Sequence, residues 1–339
     1  MSPRAGPASP CPPTPSCRTG LQAMTATTRR ALLGASTLLA APAGLRAQST
    51  PKVLRVGNQR GGLRSLLEVS GVAEDLPYRI DWSEFPAAQP LLEALNANAV
   101  DLGTMGDLNF FSVYSSGAPI KAFSASRSDG ASQAIIVRGD GPIREVADLR
   151  GKRVAAARGG WTHYSLLAIL HRAGIPFSDV RFAWLLPAEA ALAFRTGEVD
   201  AWSIWEPYTS LEVLNFGARV LADARGLTPS ASLLAVNNRA LAERREQLQD
   251  FVQRDARAWG WAQANRAAHA RATAQIIRQP EPVLLRAYEV NRTRAVPIDD
   301  ALIREFQQAV DQAHAWGVIP GQVKVAEAVD QSFTRSLKA

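Results

Sequence analysis

The segment Arg55-Val56-Gly57-Asn58-Gln59-Arg60-Gly61-Gly62 returns 98 residues later as Arg153-Val154-Ala155-Ala156-Ala157-Arg158-Gly159-Gly160. Each copy is a short β-like run that ends in Arg-Gly-Gly and leads into residues with helical spacing. A second pair follows at an offset of 99: Leu95-Asn96-Ala97-Asn98-Ala99-Val100-Asp101 with Gly106-Asp107, against Phe194-Arg195-Thr196-Gly197-Glu198-Val199-Asp200 with Trp205-Glu206. In each copy a helix stops at a turn, Val-Asp opens a strand, and an acidic residue opens the next helix. The shared order and near-equal offset predict two related α/β lobes of about 100 residues each, a period too long for a solenoid.

Around these anchors, β-like runs at 53–59, 78–85, 102–105, 120–125, 133–138, 153–157, 180–186, 201–205, 219–222 and 232–236 alternate with amphipathic stretches such as 89–97, 162–172 and 189–195. That alternation predicts α/β units with mostly parallel sheets. From about residue 239 the pattern is wholly helical, through 301–316 and 326–333. The expected organisation is a first lobe of 48–130 plus about 240–339, with its helical C-terminal region, and a second lobe of about 131–239. Arg254, Arg257, Arg266, Arg271 and Arg278 alternate with Gln, Ala and Asp and read as a solvated helix face rather than a nucleic-acid stripe.

The 339 residues carry 38 Lys and Arg against 31 Asp and Glu, a net charge of +7 that would ordinarily suggest a polyanionic partner. Five arginines, Arg4, Arg18, Arg29, Arg30 and Arg46, fall within residues 1–47, which hold no acid and both cysteines, Cys11 and Cys17. Met24, a polar stretch up to Arg29-Arg30, the mildly apolar run 31–45 and Ala47 before Gln48 follow the order of an export leader. Thr28-Arg29-Arg30-Ala31-Leu32-Leu33 resembles a twin-arginine motif. Residues 1–47 are therefore expected to be a cleavable leader, favouring twin-arginine export, with Met24 as the true start. The processed chain is then expected to be a soluble, nearly neutral, cysteine-free periplasmic monomer without a nucleic-acid partner. Its composition, 47% hydrophobic and 20% charged over the whole chain, excludes a disordered protein. No later segment approaches 18 consecutive apolar residues, so no membrane span is expected.

In an open α/β sheet ligands bind beyond the carboxyl ends of the strands. Four such ends are expected around one cleft: Gln59-Arg60-Gly61-Gly62, Gly106-Asp107, Gly159-Gly160-Trp161-Thr162-His163 and Trp205-Glu206. Glycines admit close backbone approach and helix starts attract anions, so the cleft suits a small negatively charged head group. Thr162 caps its helix, bonds the ligand, or does both. Arg60 and Arg158 either complement the charge or are solvated, and Trp205 packs on a ligand tail or between the lobes. Glu206 reads first as a helix cap, and Asp101 and Asp200, at the opposite strand ends, read as structural. His163, His171, His269 and His314 are scattered outside any metal-ligand spacing, and the chain has no nucleophile elbow, phosphate loop or dinucleotide motif. Glu84, Asp107 and Glu206 each fit a cap or turn as well as an acid–base pair. No metal, no cofactor and no catalysis are expected.

Five segments carry a family resemblance: 53–61; Glu84-Phe85-Pro86-Ala87 with Leu92-Glu93-Ala94-Leu95-Asn96; Val100-Asp101-Leu102-Gly103 with Gly106-Asp107; Val146-Ala147-Asp148-Leu149-Arg150-Gly151-Lys152-Arg153-Val154-Ala155; and Gly197-Glu198-Val199-Asp200-Ala201-Trp202-Ser203-Ile204-Trp205-Glu206-Pro207-Tyr208. Together they closely resemble the aliphatic sulfonate-binding proteins of ABC importers, which belong with taurine, nitrate and thiamine-precursor binders. The resemblance covers residues 52–335, and its last segment is the most specific. It implies a type II periplasmic binding fold, two α/β lobes closing on a ligand, and delivery of that ligand to a membrane permease driven by an ATPase. By position it implies head-group contacts at Gln59, Arg60, Gly106, Asp107, Thr162 and His163, with Trp205 and Glu206 on the opposite wall.

The chain departs from the family's usual pattern at Asn58, where an aromatic is common, at Arg60 for Lys, at Asn109-Phe110 for prolines, and at Gly160-Trp161 for small hydroxyl residues. Trp161 is expected in the pocket wall, where it shrinks the cavity or stacks on an aromatic ligand. The alternatives to a sulfonate are another small solute, namely taurine, nitrate or a thiamine precursor. Two alternatives to transport are an enzyme on the same fold, as in menaquinone-pathway proteins, and a sensor. Replacing Arg60 by Ala is expected to weaken binding by about 1.5–3 kcal/mol, the scale of a hydrogen bond to a charged group. Calorimetric titration checks this, and unchanged affinity would place Arg60 outside the pocket.

Overall fold

The computed structural model describes residues 52–59, 61–335 and 337. The expected leader, with Met24 and both cysteines, and the candidate ligand residue Arg60 lie outside the described residues.

The first run of elements is β1 (Val53–Gln59), α1 (Leu63–Val69), β2 (Arg79–Phe85), α2 (Ala88–Asn96), β3 (Leu102–Gly106), α3 (Asp107–Tyr114) and β4 (Ile120–Arg127). A second run follows with β5 (Gln133–Arg138), β6 (Arg153–Ala156), α4 (Trp161–Arg172), β7 (Arg181–Trp184), α5 (Pro187–Thr196), β8 (Ala201–Trp205), α6 (Tyr208–Phe216) and β9 (Ala218–Asp223). The chain ends through β10 (Ala231–Asn237), α7 (Asn238–Glu243), α8 (Arg245–Ala264), α9 (Arg266–Ile277), α10 (Glu281–Asn291), β11 (Arg294–Val296), α11 (Asp300–Ala315) and α12 (Val325–Ala328).

These strands form a six-stranded sheet, β11-β4-β10-β3-β1-β2, and a five-stranded sheet, β7-β6-β8-β5-β9. Counted from β2 and from β7, five strands run in the same order in both. β1 lies parallel between β2 and β3, and β6 lies parallel between β7 and β8. The registers repeat as well: Val56 faces Leu102 and Gly57 faces Gly103, while Val154 faces Ala201 and Ala155 faces Trp202. The offsets of 98 and 99 seen in the sequence are thus the spacing of equivalent strands in two lobes of an α/β, type II periplasmic binding fold.

Four expectations need correction. The sheets are mixed rather than mostly parallel, because β10 and β5 each run antiparallel to both of their neighbours. β10 was expected in the second lobe, whose boundary was drawn at about 239, yet it is hydrogen-bonded between β3 and β4 of the first sheet. Local patterning marks a segment as extended without saying which sheet receives it. The region after 239 is not wholly helical either, since β11 pairs with β4. Arg254 is buried, not solvated: its guanidinium is paired with Asp75 and Asp250 and donates to the Val72 carbonyl.

The repeated Val-Asp is a register latch. Asp101 is wholly buried and accepts the Arg55 backbone N–H at 2.9 Å and its guanidinium at 2.5 Å, with Arg244 at 3.4 Å. Asp200 accepts the backbone N–H of Arg153 at 2.8 Å, but there the guanidinium turns to Glu198 on the surface. Asp101 therefore ties the start of β3 to β1, and Asp200 ties the start of β8 to β6. α4 joins the two cores. Leu166, Ile169 and Leu170 pack with Val137 and Val154 of the second lobe, whereas Tyr164, Leu167 and Ala168 pack with Phe110, Phe111 and Val318 of the first.

Because breaking a buried ion pair strands its partner charges, Asp101→Ala is expected to cost about 3–5 kcal/mol. Its half-buried counterpart Asp200 holds only a backbone N–H, and Asp200→Ala should cost roughly 1 kcal/mol. Urea unfolding of the two variants checks the asymmetry, and equal losses would contradict it.

Candidate functional site

A cavity of about 730 Å³ opens at the carboxyl ends of β1, β3, β6 and β8 and receives side chains from both lobes. Its geometry starts from the repeated Arg-Gly-Gly. The first glycine of each pair, Gly61 and Gly159, has a left-handed backbone with φ of +76° and +80°, which L side chains adopt at a cost. Where the lobes meet, bulk is excluded as well. A Cβ on Gly160 would lie 2.5 Å from the Asn109 amide, and one on Gly106 would lie 3.0 Å from the Trp161 ring.

Among the expected site residues, Gln59, Gly106, Trp161, Thr162, Trp205 and Glu206 line this cavity together. Gln59 is half-buried and donates to the Thr104 carbonyl at 3.1 Å, leaving its side-chain oxygen for a ligand. Trp161 donates its indole N–H to Asp107 across the lobe boundary at 2.5 Å. The Thr162 hydroxyl is committed to the backbone of Ala157, donating to its carbonyl and accepting its N–H, both at 3.0 Å. It therefore closes the loop ahead of α4, and Gly160 rather than Thr162 takes the cap position. Trp205 presents its ring to the cavity with Tyr208 edge-on at 5.7 Å. Glu206 stands one residue ahead of the cap position, which Pro207 takes, and its carboxylate accepts the Ser210 N–H in the first turn of α6 at 3.0 Å. Burial raises its pKa against the opposing pull of Ser210 and of Arg286, which reaches over from α10 to 3.3 Å.

Asp107 and His163 stand behind the wall rather than in it. Asp107 is buried and accepts N–H groups from Trp161, Leu108 and Ala231, the last two at 2.6 and 3.2 Å. Burial pushes its carboxyl up to about 6 despite those donors. His163 is buried under the glycine loop, accepts the Gly159 N–H on Nδ1 at 3.4 Å and sets its ring edge against Trp184 at 4.5 Å. Burial, then the nearby Arg158, push it down to about 4, so it is a neutral prop for the loop.

Sequence reasoning left several lining residues unnamed. Trp184 ends β7, and the strand-end rule applied to that strand finds it; Arg158 lies over its ring, 5.8 Å from the centroid. Asn109, Ser126 and Ser232 also reach the cavity, as do Asp255, Trp259, His269, Tyr288 and Asn291 from α8, α9 and α10. In the sequence the arginines of α8 and α9 read as a solvated face, and no local signal marks another face of these helices as cavity wall. Among the described residues no group of three or more His, Cys, Asp or Glu is placed to hold a metal ion, and no helix is long and apolar enough to cross a membrane.

A family profile described as NMT1/THI5 like matches residues 85–268. A protein of Escherichia coli (strain K12) that carries the provisional name aliphatic sulfonates-binding protein is 39% identical over 189 residues, which span 55% of this chain and 59% of that relative. Among solved structures, the alkanesulfonate-binding protein SsuA from Xanthomonas axonopodis pv. citri, bound to MOPS, is 31% identical with a TM-score of 0.76 over 83% of this chain and 98% of that one. The periplasmic aliphatic sulphonate binding protein SsuA from Escherichia coli is 30% identical with a TM-score of 0.73, over 86% and 95%.

His163 supplies a pH test. Its pKa of about 4 lies below the usual 6.5, so unfolding takes up a proton between those values. The stability due to the neutral ring is complete above about 6.5 and is lost as the pH falls through that window. His163→Gln is accordingly expected to lose less stability than the parent between pH 6.5 and 4 in urea unfolding. Parallel pH curves would contradict the neutral, buried ring.

Proposed function

The chain belongs to the NMT1/THI5-like family, and we propose that it is the solute-binding component of an ABC importer. In that role it captures an organic sulfonate in the periplasm and hands it to a membrane permease driven by an ATPase. The observation that carries this reading is the first turn of α4, held at the junction of the lobes with Arg158 and two glycines before it. The leading N–H groups of an α-helix have no acceptor within the helix and favour a negative charge. Arg158 has no carboxylate partner among the described residues, and Glu189 and Glu206, two of the three acids that line the cavity, already accept the N–H groups of Leu186 and Ser210.

A sulfonate suits such a site because it is ionised at any working pH and only accepts hydrogen bonds, so donors hold it without proton transfer. Trp184, Trp205 and Tyr208 offer aromatic surface to the organic tail. His163 and Asp107, the groups with the most shifted pKa values near the head-group site, are used to hold a loop and two helix starts. That favours binding over turnover. Residues 1–47 would direct export, and the described body would work as a monomer whose lobes, divided near 130 and 230, close on the ligand.

Titration calorimetry of the purified protein with alkane- and arylsulfonates, taurine, nitrate and pyrimidine-type thiamine precursors tests the reading. A sulfonate is expected to bind, and Arg158→Ala is expected to weaken it by about 1.5–3 kcal/mol. Absence of heat and of any thermal shift with every sulfonate would overturn the substrate class, and conversion of a ligand would replace the binder by an enzyme.

A further inference from the structure

The polar side chains nearest the start of α4 are already engaged within the protein. The Thr162 hydroxyl is tied to both backbone groups of Ala157, the Asp107 carboxylate is turned into its three N–H donors, and the His163 ring lies under the glycine loop. The N–H groups that lead α4 and the Arg158 guanidinium remain, and all of them belong to the second lobe. From the first lobe Gln59 offers an oxygen, because its amide nitrogen donates to the Thr104 carbonyl. A sulfonate oxygen only accepts hydrogen bonds and cannot use it.

Asn109 supplies what Gln59 does not. It is the third residue of α3, half-buried, and it lines the cavity. Its side chain folds back between the starts of two helices, in space that the capping glycines Gly106 of α3 and Gly160 of α4 leave open. A Cβ on Gly160 would meet the amide nitrogen at 2.5 Å, and one on Gly106 would meet the amide oxygen at 3.0 Å. The donor end therefore lies against the start of α4, across the lobe boundary. Among the described residues no group of the protein hydrogen-bonds to this amide. Other polar amides of the same lobe are committed: Asn58 donates to Glu84 and accepts the Arg64 N–H, and Asn237 donates to the Val100 carbonyl and accepts the Ala240 N–H. An amide that is held in place by packing and is free of internal partners can donate to a ligand without breaking an existing bond.

We propose that Asn109 is a specificity-determining residue of the head-group site, donating an amide N–H to a sulfonate oxygen from the first lobe while Arg158 and the start of α4 hold the other oxygens from the second. This rests on the sulfonate reading of the cavity. The contact is made at the head group, so it strengthens binding by the same factor whatever the tail.

Titration calorimetry of the purified protein with ethane-, butane- and hexanesulfonate tests the assignment. Asn109→Leu, similar in size but without a donor, is expected to weaken all three by one common factor of about 10- to 100-fold, the scale of a hydrogen bond to a charged group. Asn109→Asp sets a carboxylate against the anion and is expected to remove detectable binding of all three. An acid in the first turn of α3 suits the helix dipole, so this variant keeps the test open if the leucine variant does not fold. Unchanged affinity in either variant, or a loss that grows with tail length, would overturn the role of Asn109 and leave the sulfonate reading standing. Failure of the parent protein to bind any of the three would overturn the sulfonate reading and the role of Asn109 with it.

Discussion

One carboxylate gathers the parts that make the cleft. Asp107 accepts the N–H of Leu108 in the first turn of α3, the N–H of Ala231 at the start of β10, and the indole N–H of Trp161 at the start of α4. The first belongs to the first lobe, the second lies where the chain returns from the second lobe, and the third belongs to the second lobe. No cation is needed, because three donors stabilise a buried acceptor well enough to compensate part of its lost hydration. The approach is possible only because Gly106 and Gly160 carry no side chain at the point where Asn109 and Trp161 pass. Fixing these starts also fixes the direction in which the free N–H groups of α4 face the cavity.

α4 is the other half of that arrangement. All of Thr162 to Leu170 is buried, because one face serves the sheet of its own lobe and another serves α3 and the segment after α11. Trp316, just beyond α11, packs its ring against Tyr164 and His171 at 5.4 and 5.3 Å. A helix anchored on two sides does not drift, so the backbone donors at its N-terminus stay preorganised, and that limits what a ligand must spend in ordering the site.

The sequence made most of the framework legible because strand periodicity and turn glycines are local properties. All ten runs that read as β-like are strands, and the doubled Arg-Gly-Gly marks two equivalent left-handed turns. What was not legible depends on partners distant in the chain. β11 is three residues long and paired only with β4, too short to leave a period of its own. β10 looks like any other buried strand until its neighbours are known. His163 follows a glycine turn, a position that suits ligand contact, yet it points under the loop at Trp184. Asp255 and Arg254 are adjacent on α8, though one lines the cavity and the other turns away from it to pair with Asp75 and Asp250.

The order of strands also dictates an order of assembly. The second sheet is built from one uninterrupted stretch, β5 to β9, and lacks nothing once residue 223 has been reached. The first sheet is different: β10 lies between β3 and β4, so those two strands cannot be joined until 231–237 arrives. Until then β3 and β4 each expose an unpaired edge, a state prone to mispairing. The first sheet therefore cannot be closed without a strand encoded more than one hundred residues downstream of β4, and its edge strand β11 comes later still.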